Sequence, residues 1–274
     1  MRLLVTNDDG IDSIGLHVLA RAMRAHGDVV VVAPDREFSG AGAAIGSLQD
    51  MKPEISRAEL DGIDEAWAVT GAPALCVFFA RLGVFDGPFD LVVAGINPGN
   101  NVGRAVYHSG TVGAALTARN SGLSGVAVSQ AVAGYGVEGQ GWAEMLADMK
   151  WETAAAVASE IVAALVADMP AAPTVVNVNV PNVELSEITS WRHAVVGTVP
   201  PRAVSSAEKV PVEGREGVYT VRMGWGDAQQ LPSETDGGAV ERGEVAITYL
   251  GPLQAEPRDD LPAIDAALDR LVQH

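Results

Sequence analysis

The chain has a single cysteine, few aromatic residues (5%) and a marked shortage of positive charge. One cysteine, Cys76, excludes an intrachain disulfide and any zinc site built from several thiolates. It stands in the apolar run Ala74-Leu75-Cys76-Val77-Phe78-Phe79, where a buried, inert thiol is expected. Lysine and arginine number 18 against 35 aspartates and glutamates, a formal net charge of −17. That balance argues against a nucleic-acid duplex or an anionic membrane as partner, because both recruit clustered cations. An anionic small molecule must therefore be welcomed locally, by a metal ion or by backbone amides. Long apolar runs are missing too: the best candidate, residues 154 to 167, is broken by Ser159-Glu160. A secretory leader is not expected, since Asp8 and Asp9 interrupt the first apolar run, and a cytoplasmic location is the expectation.

What is present suits a globular α/β protein. The 274 residues are 48% hydrophobic and 19% charged, enough for one large domain or a domain with an appendage. Leu3-Leu4-Val5 reads as a buried strand, and Leu16, Leu19, Ala20 and Met23 fall at helical spacing between Ser13 and His26. Val29 to Ala33 is a β-branched run of the kind buried on both faces of a parallel sheet. Residues 47 to 70 suit short strands or a hairpin, and Gly71-Ala72-Pro73 opens an apolar helix. Further strands are expected at Phe89 to Gly95, Gly125 to Ser129, Val175 to Val180 and Gly243 to Leu250. A glycine-spaced connection from Gly134 to Gly141 leads to one long helix from Trp142 to Asp168, with Met145, Met149, Ile161 and Leu165 as its core stripe. From Ser190 to Met223 short β-prone pieces predict a hairpin arm, and Pro262 opens a terminal helix with Ile264, Leu268, Leu271 and Val272 on one face. The fold class expected is a doubly wound, mostly parallel α/β sheet. It divides into a core over residues 1–189 and a C-terminal hairpin and helix extension over 190–274.

The chemistry gathers where strands end. The first strand stops on Asn7-Asp8-Asp9-Gly10; taken alone, such a run is more often a plain turn with a helix cap. Two adjacent carboxylates nevertheless repel unless a cation or a proton intervenes. The second strand runs into Pro34-Asp35-Arg36-Glu37-Phe38-Ser39-Gly40-Ala41-Gly42, and the strand at Phe89 runs into Ile96-Asn97-Pro98-Gly99-Asn100-Asn101. Gly40, Gly42 and Gly46 have the wrong spacing and follow the wrong strand for a dinucleotide fingerprint. His108-Ser109-Gly110-Thr111 precedes an alanine-rich helix, which makes it either an anion site or a simple N-cap. In a doubly wound sheet such loops converge at one edge. Two carboxylates, a hydroxyl and an amide oxygen suit Mg²⁺, Mn²⁺ or Ca²⁺ better than zinc or copper.

NDDG, APDREFSGAG, GINPGNNVG, SGTVGAA and VNVNVP occur together and in this order. With them the chain closely resembles the SurE survival-protein family of metal-dependent 5′-nucleotidases, over residues 1 to 182 and again at Glu234-Thr235-Asp236 and Ala246-Ile247-Thr248. The resemblance implies one divalent metal ion per subunit, Mg²⁺ or Mn²⁺, on Asp8, Asp9, Ser39 and Asn97, and phosphate contacts from Ser109, Gly110 and Thr111. It also implies a Rossmann-like core whose C-terminal extension is exchanged in homodimers or homotetramers. Ala41, Gly42, Ala43, Ala44 and Gly46 depart from the family, replacing hydroxyl and imidazole side chains by bare backbone. The activity expected is hydrolysis of nucleoside 5′-monophosphates, with 3′-nucleotides and short polyphosphate as further candidates, by a metal-oriented water that Asp8 or Asp9 helps to position. His108 is a candidate general acid. Two rival readings are an aspartyl-phosphate phosphatase and a non-catalytic nucleotide-binding regulator.

Overall fold

The structure is a computed structural model that describes residues 1–46, 52–132, 142–200 and 202–272. The expected Gly134 to Gly141 connection, and the first residues of the 47 to 70 segment, lie outside the described residues. In chain order the elements are β1 (Arg2–Thr6), α1 (Ile14–Met23), β2 (Asp28–Pro34), β3 (Ile55–Arg57), β4 (Glu65–Val69), α2 (Pro73–Arg81), β5 (Leu91–Pro98), α3 (Gly110–Asn120) and β6 (Ser124–Gln130). There follow α4 (Trp142–Leu146), α5 (Trp151–Ala167), β7 (Val175–Val180), β8 (Trp191–His193), β9 (Arg202–Pro211), β10 (Tyr219–Ala228), α6 (Asp236–Glu241), β11 (Val245–Leu250) and α7 (Pro262–Val272). A 3₁₀ turn, Gly103–Tyr107, leads into α3.

Nine strands form one sheet in the order β3-β4-β2-β1-β5-β6-β7-β11-β8, and β9 pairs with β10 in a separate antiparallel arm. From β4 to β7 every pairing is parallel; β3 runs antiparallel to β4 and β11 antiparallel to β7, while β8 lies parallel to β11. The β-branched central strands are buried on both faces, as continuous apolar runs require. Leu3, Val5, Val29, Val31, Val93 and Val126 pack on one side with α1 and α5. Leu4, Val30, Val32, Val92 and Ala94 pack on the other against α2 and α3. Each such side chain contributes about 1.5–3 kcal/mol by leaving water.

The chain winds outward from β1 to β2 and β4, then returns to lay β5 on the opposite flank of β1. The strand order reverses between β1 and β5, the place where open α/β sheets bind ligands. Both strand tips there carry expected site residues, Asp8 and Asp9 after β1 and Asn97 near the end of β5.

Three sequence expectations change. The helix expected over 142–168 is two, because Lys150 has its backbone claimed from outside: Gln130 Nε2 donates to its carbonyl at 2.7 Å, and its N–H donates to Asn182 Oδ1 at 2.8 Å. Of the expected core stripe Met149 is buried and Ile161 and Leu165 pack half-buried against the core, but the most buried face of α5 is Trp151, Ala154, Ala155, Ala158 and Val162. Third, β5 continues through Ile96-Asn97-Pro98, expected as loop, after a register irregularity beyond Ala94.

That irregularity needs Gly95. Its φ is +133°, and a Cβ there would stand 2.3 Å from the carbonyl oxygen of Val128 on β6. Gly95→Ala is therefore expected to destabilise the fold by about 2 kcal/mol or more in urea titration. Trimming the Val128 side chain will not rescue it, since the obstruction is backbone; a loss under about 0.5 kcal/mol would contradict this account.

Candidate active site

The loops after β1 and β2 are tied together by main-chain hydrogen bonds. Ile11 N–H donates to Pro34 O at 2.8 Å, and Phe38 N–H donates to Asp8 O at 2.7 Å. Gly10, with φ +101°, turns the chain away so closely that a Cβ there would be 3.1 Å from the Arg36 carbonyl carbon. The β2 loop then rests on the start of α3: Gly42 N–H donates to His108 O at 3.0 Å. A Cβ on Gly113 would lie 2.2 Å from Gly42 O, so a glycine on each side permits the approach.

Asp8 is buried and faces the N-terminus of α3. Its Oδ1 accepts a short hydrogen bond from the Thr111 hydroxyl. Gly110 lies so near that a Cβ would be 2.8 Å from Asp8 Oδ2. Burial raises the Asp8 pKa above the ordinary carboxylate range, and the hydrogen bonds from the Thr111 hydroxyl and the amides of Thr111 and Gly110 only partly oppose it. Asp9 is pushed up to about 8, first by burial and then by the charges of Asp8 and Glu37. Its Oδ2 is buried with no hydrogen-bond partner among the described residues.

Ser109 is the N-cap of α3, its Oγ accepting the Val112 N–H at 3.0 Å. The cap expected from sequence is thus present, and in the same few residues Gly110 and Thr111 turn to Asp8. Asn97 donates through Nδ2 to Gly99 O at 2.7 Å, which makes its Oδ1 the atom it can offer a cation. Ser39 is exposed, and its hydroxyl donates to Glu37 Oε1 at 2.8 Å. His108 is exposed beside the cap, with its carbonyl engaged by Gly42. The structure therefore gathers Asp8, Asp9, the Ser39 loop and the start of α3; Asn97 occupies the adjacent strand tip.

A hard cation fits this donor set. Two neighbouring carboxylates are withdrawn from water, and one of their oxygens has no donor to accept from among the described residues. No group of three or more histidines, cysteines, aspartates or glutamates forms a metal cluster among the described residues, so the fit rests on mixed oxygen donors. A cavity of about 660 Å³ elsewhere, between α5 and β8, is lined by Val157, Ile161, Leu185, Trp191 and Ile247. Its lining is mostly apolar, and Glu160 is the single carboxylate among the described residues that line it.

Sequence reading passed over Glu37, whose charge reaches Asp9, and a buried polar network behind the Asn97 loop. In that network Asn101 N–H donates to Asn179 Oδ1 at 2.8 Å, and Asn101 Nδ2 donates to Ser129 Oγ at 2.8 Å. Asn177 and Asn179 both donate to Asn101 O, at 3.0 and 3.2 Å. The signal was two asparagines alternating with valines in a central strand, where asparagine is disfavoured.

The raised Asp9 pKa has a sign that experiment can read. Protonated Asp9 favours the fold, a contribution complete below about pH 4 and lost as the pH rises through the folded value of about 8. Asp9→Asn should therefore raise the melting temperature of the metal-free protein at pH 8 more than at pH 5. Mn²⁺ is expected to raise the melting temperature of the parent protein and to leave that of the variant unchanged. A variant less stable than the parent at pH 8, or one still stabilised by Mn²⁺, would contradict the assignment.

With the geometry in hand, comparison with known proteins is direct. Residues 3–201 match the family model described as survival protein SurE. A protein of Haemophilus influenzae (strain PittGG) named 5′-nucleotidase SurE is 34% identical over 93% of this chain and 92% of its own. One of Xanthomonas axonopodis pv. citri (strain 306), with the same name, is 38% identical over 91% of this chain and 89% of its own. The crystal structure of the SurE protein from Aquifex aeolicus superposes with a TM-score of 0.73 at 28% identity, over 98% of this chain and all of that one (100%). The mostly parallel sheet, its C-terminal hairpin and the extent of these matches agree: this chain belongs to the SurE family.

Proposed function

We propose that this chain is a divalent-metal-dependent phosphomonoesterase that hydrolyses nucleoside 5′-monophosphates to nucleoside and phosphate. The observation that carries the reading is the Asp8–Asp9 pair at the N-terminus of α3, Asp8 buried and the buried Oδ2 of Asp9 unpaired among the described residues. Relatives along more than nine-tenths of the chain are named 5′-nucleotidase, which supports the same substrate class.

Asp8, Asp9, Ser39 and Asn97 would hold one Mg²⁺ or Mn²⁺ ion, with Ca²⁺ as a further hard cation that suits the same oxygens. When bound, such an ion supplies Lewis acidity: it offsets phosphoryl charge and makes water a better nucleophile near neutral pH. Asp9, whose Oδ2 has no hydrogen-bond partner among the described residues, is the acid assigned to orient that water. Thr111 holds Asp8 in one orientation through its hydroxyl. Ser109, Gly110 and Thr111 supply the phosphate-binding end of α3, where the helix dipole favours negative charge. His108, exposed beside them, is the group available to protonate the leaving alkoxide. Adjacent rather than alternate acids at the strand tip weigh against a covalent aspartyl-phosphate, and trapping with a phosphoryl mimic decides the point.

Asp8→Asn is expected to abolish metal-dependent phosphate release while circular dichroism stays unchanged, because one charge of the site is lost with little change of shape. The test is phosphate release from a panel of 5′- and 3′-nucleotides and polyphosphate, with and without Mg²⁺ or Mn²⁺. Full activity in the variant would refute the site, and nucleotide binding without any release would favour a regulator instead.

The C-terminal extension supports assembly into a homodimer or homotetramer. Ile264, Leu268 and Leu271 on α7 are 53%, 54% and 71% exposed, so this apolar stripe is left in water within a single chain. The arm likewise exposes Tyr219, Val221 and Met223 on one face. An isolated two-stranded ribbon is marginal in water, which makes a partner chain its natural cover. Leu268→Asp should lower the mass seen by analytical ultracentrifugation; a monomeric parent, or a variant with the parent's mass, would contradict this.

A further inference from the structure

Asp236 is a second buried acid, 1% exposed, and three backbone amides converge on it. Its Oδ2 accepts the N–H of Gly103 at 2.9 Å, while Oδ1 accepts those of Gly197 at 3.0 Å and Gly237 at 2.9 Å. Gly237 is its neighbour in α6, but the other two are remote in sequence and belong to different parts of the molecule. Gly103 opens the 3₁₀ turn midway between Asn97 and Ser109. Gly197 lies at the root of the β9–β10 arm, where Val195 N–H donates to Glu234 O at 3.1 Å and Asp236 N–H to Val195 O at 2.9 Å.

These bonds are not explained by the needs of α6. Its N-cap is Thr235, whose Oγ1 accepts the Gly238 N–H at 3.1 Å. Gly103 is also pressed against the arm root: its φ is +52°, and a Cβ would lie 2.9 Å from Gly197 O. On the other side the same stretch is clamped by the Asn101 network and by Gly99 N–H donating to Gln130 O at 2.7 Å. Thr248 on β11 joins this clamp through Asn177 Nδ2 at 3.2 Å. Segments following residue 190 thus hold the loop that connects one metal-site residue to the phosphate-site residues.

We propose that Asp236 is a positioning residue: its carboxylate fixes the segment between Asn97 and Ser109 to the root of the arm, and so transmits the arm's placement to the active site. The proposal rests on the hydrolytic reading of that site. Misplacing reacting groups by about 1 Å costs on the order of a hundredfold in rate, so a rigid connection at this point matters to turnover.

Asp236→Asn tests it with atomic specificity. The amide is isosteric and keeps two of the three bonds by leaving its oxygen towards Gly197 and Gly237. Its NH₂ then opposes the Gly103 N–H, which releases the loop and spares the arm root. Expected are faster amide hydrogen exchange in peptides spanning 97–110 with α1 and β2 unchanged, Mn²⁺ affinity weaker by about ten- to a hundredfold, and a fall in kcat larger than any change in KM. Parent-like exchange and Mn²⁺ affinity, or changes confined to residues 231–243, would overturn the proposal. Should the variant not fold, Gly103→Ala pushes the loop from Gly197 with the carboxylate intact, and parent-like exchange over 97–110 in that variant overturns it equally. If the parent protein hydrolyses no nucleotide, the functional reading fails, whereas the exchange result still decides the role of Asp236.

Discussion

Two carboxylates carried on consecutive residues are withdrawn from water at the tip of β1, and the surrounding structure is arranged about the resulting electrostatic cost. Burial alone drives both pKa values upward, and Asp8 and Glu37 add further repulsion at Asp9. The fold answers on one side only: Thr111, Gly110 and the N-terminus of α3 stabilise Asp8. Asp9 Oδ2 receives no such help from the described residues. A structural ion pair would place an arginine or lysine there, whereas a site that exchanges a proton for a cation leaves the position open.

Delivering those groups to one place is a problem of backbone approach. The pair lies at the switch point because β2 and β5 flank β1. Glycine then allows the β2 loop to touch β1 and α3 at Gly10, Gly42 and Gly113 without side chains between them. Behind β5, asparagines of β7 bond the N–H and carbonyl of Asn101, and the carboxylate of Asp236 accepts the N–H of Gly103. The front of the site therefore keeps an unpaired carboxylate oxygen among the described residues, whereas the main chain behind it is held at Gly99, Asn101 and Gly103. That contrast is what a rigid binding site requires.

Most of the architecture was legible because it depends on local pattern. Val29 to Ala33 reads as a buried parallel strand and Val175 to Val180 as a strand, and the structure has both. The acidic tip, the serine loop and the capped start of α3 could each be located because they end elements. Features set by tertiary contacts were not legible. The break before Trp151 depends on Gln130 and Asn182 seizing Lys150, and the extension of β5 to Asn97 depends on Gly95 meeting Val128. Likewise Asp236 stood out only as part of Glu234-Thr235-Asp236, where the family resemblance resumes; the fold alone brings Gly103 and Gly197 to its oxygens.

The central claim is that one divalent ion and one phosphoryl group share the space beside Asp8 and Asp9. Pulsed electron paramagnetic resonance on Mn²⁺-loaded protein with orthophosphate tests it most directly. The account predicts a phosphorus hyperfine coupling from directly coordinated phosphate, and no coupling from imidazole nitrogen, since the proposed ligands are all oxygen. A bound Mn²⁺ with histidine nitrogen in its coordination sphere, or with no phosphorus coupling at saturating phosphate, would contradict it.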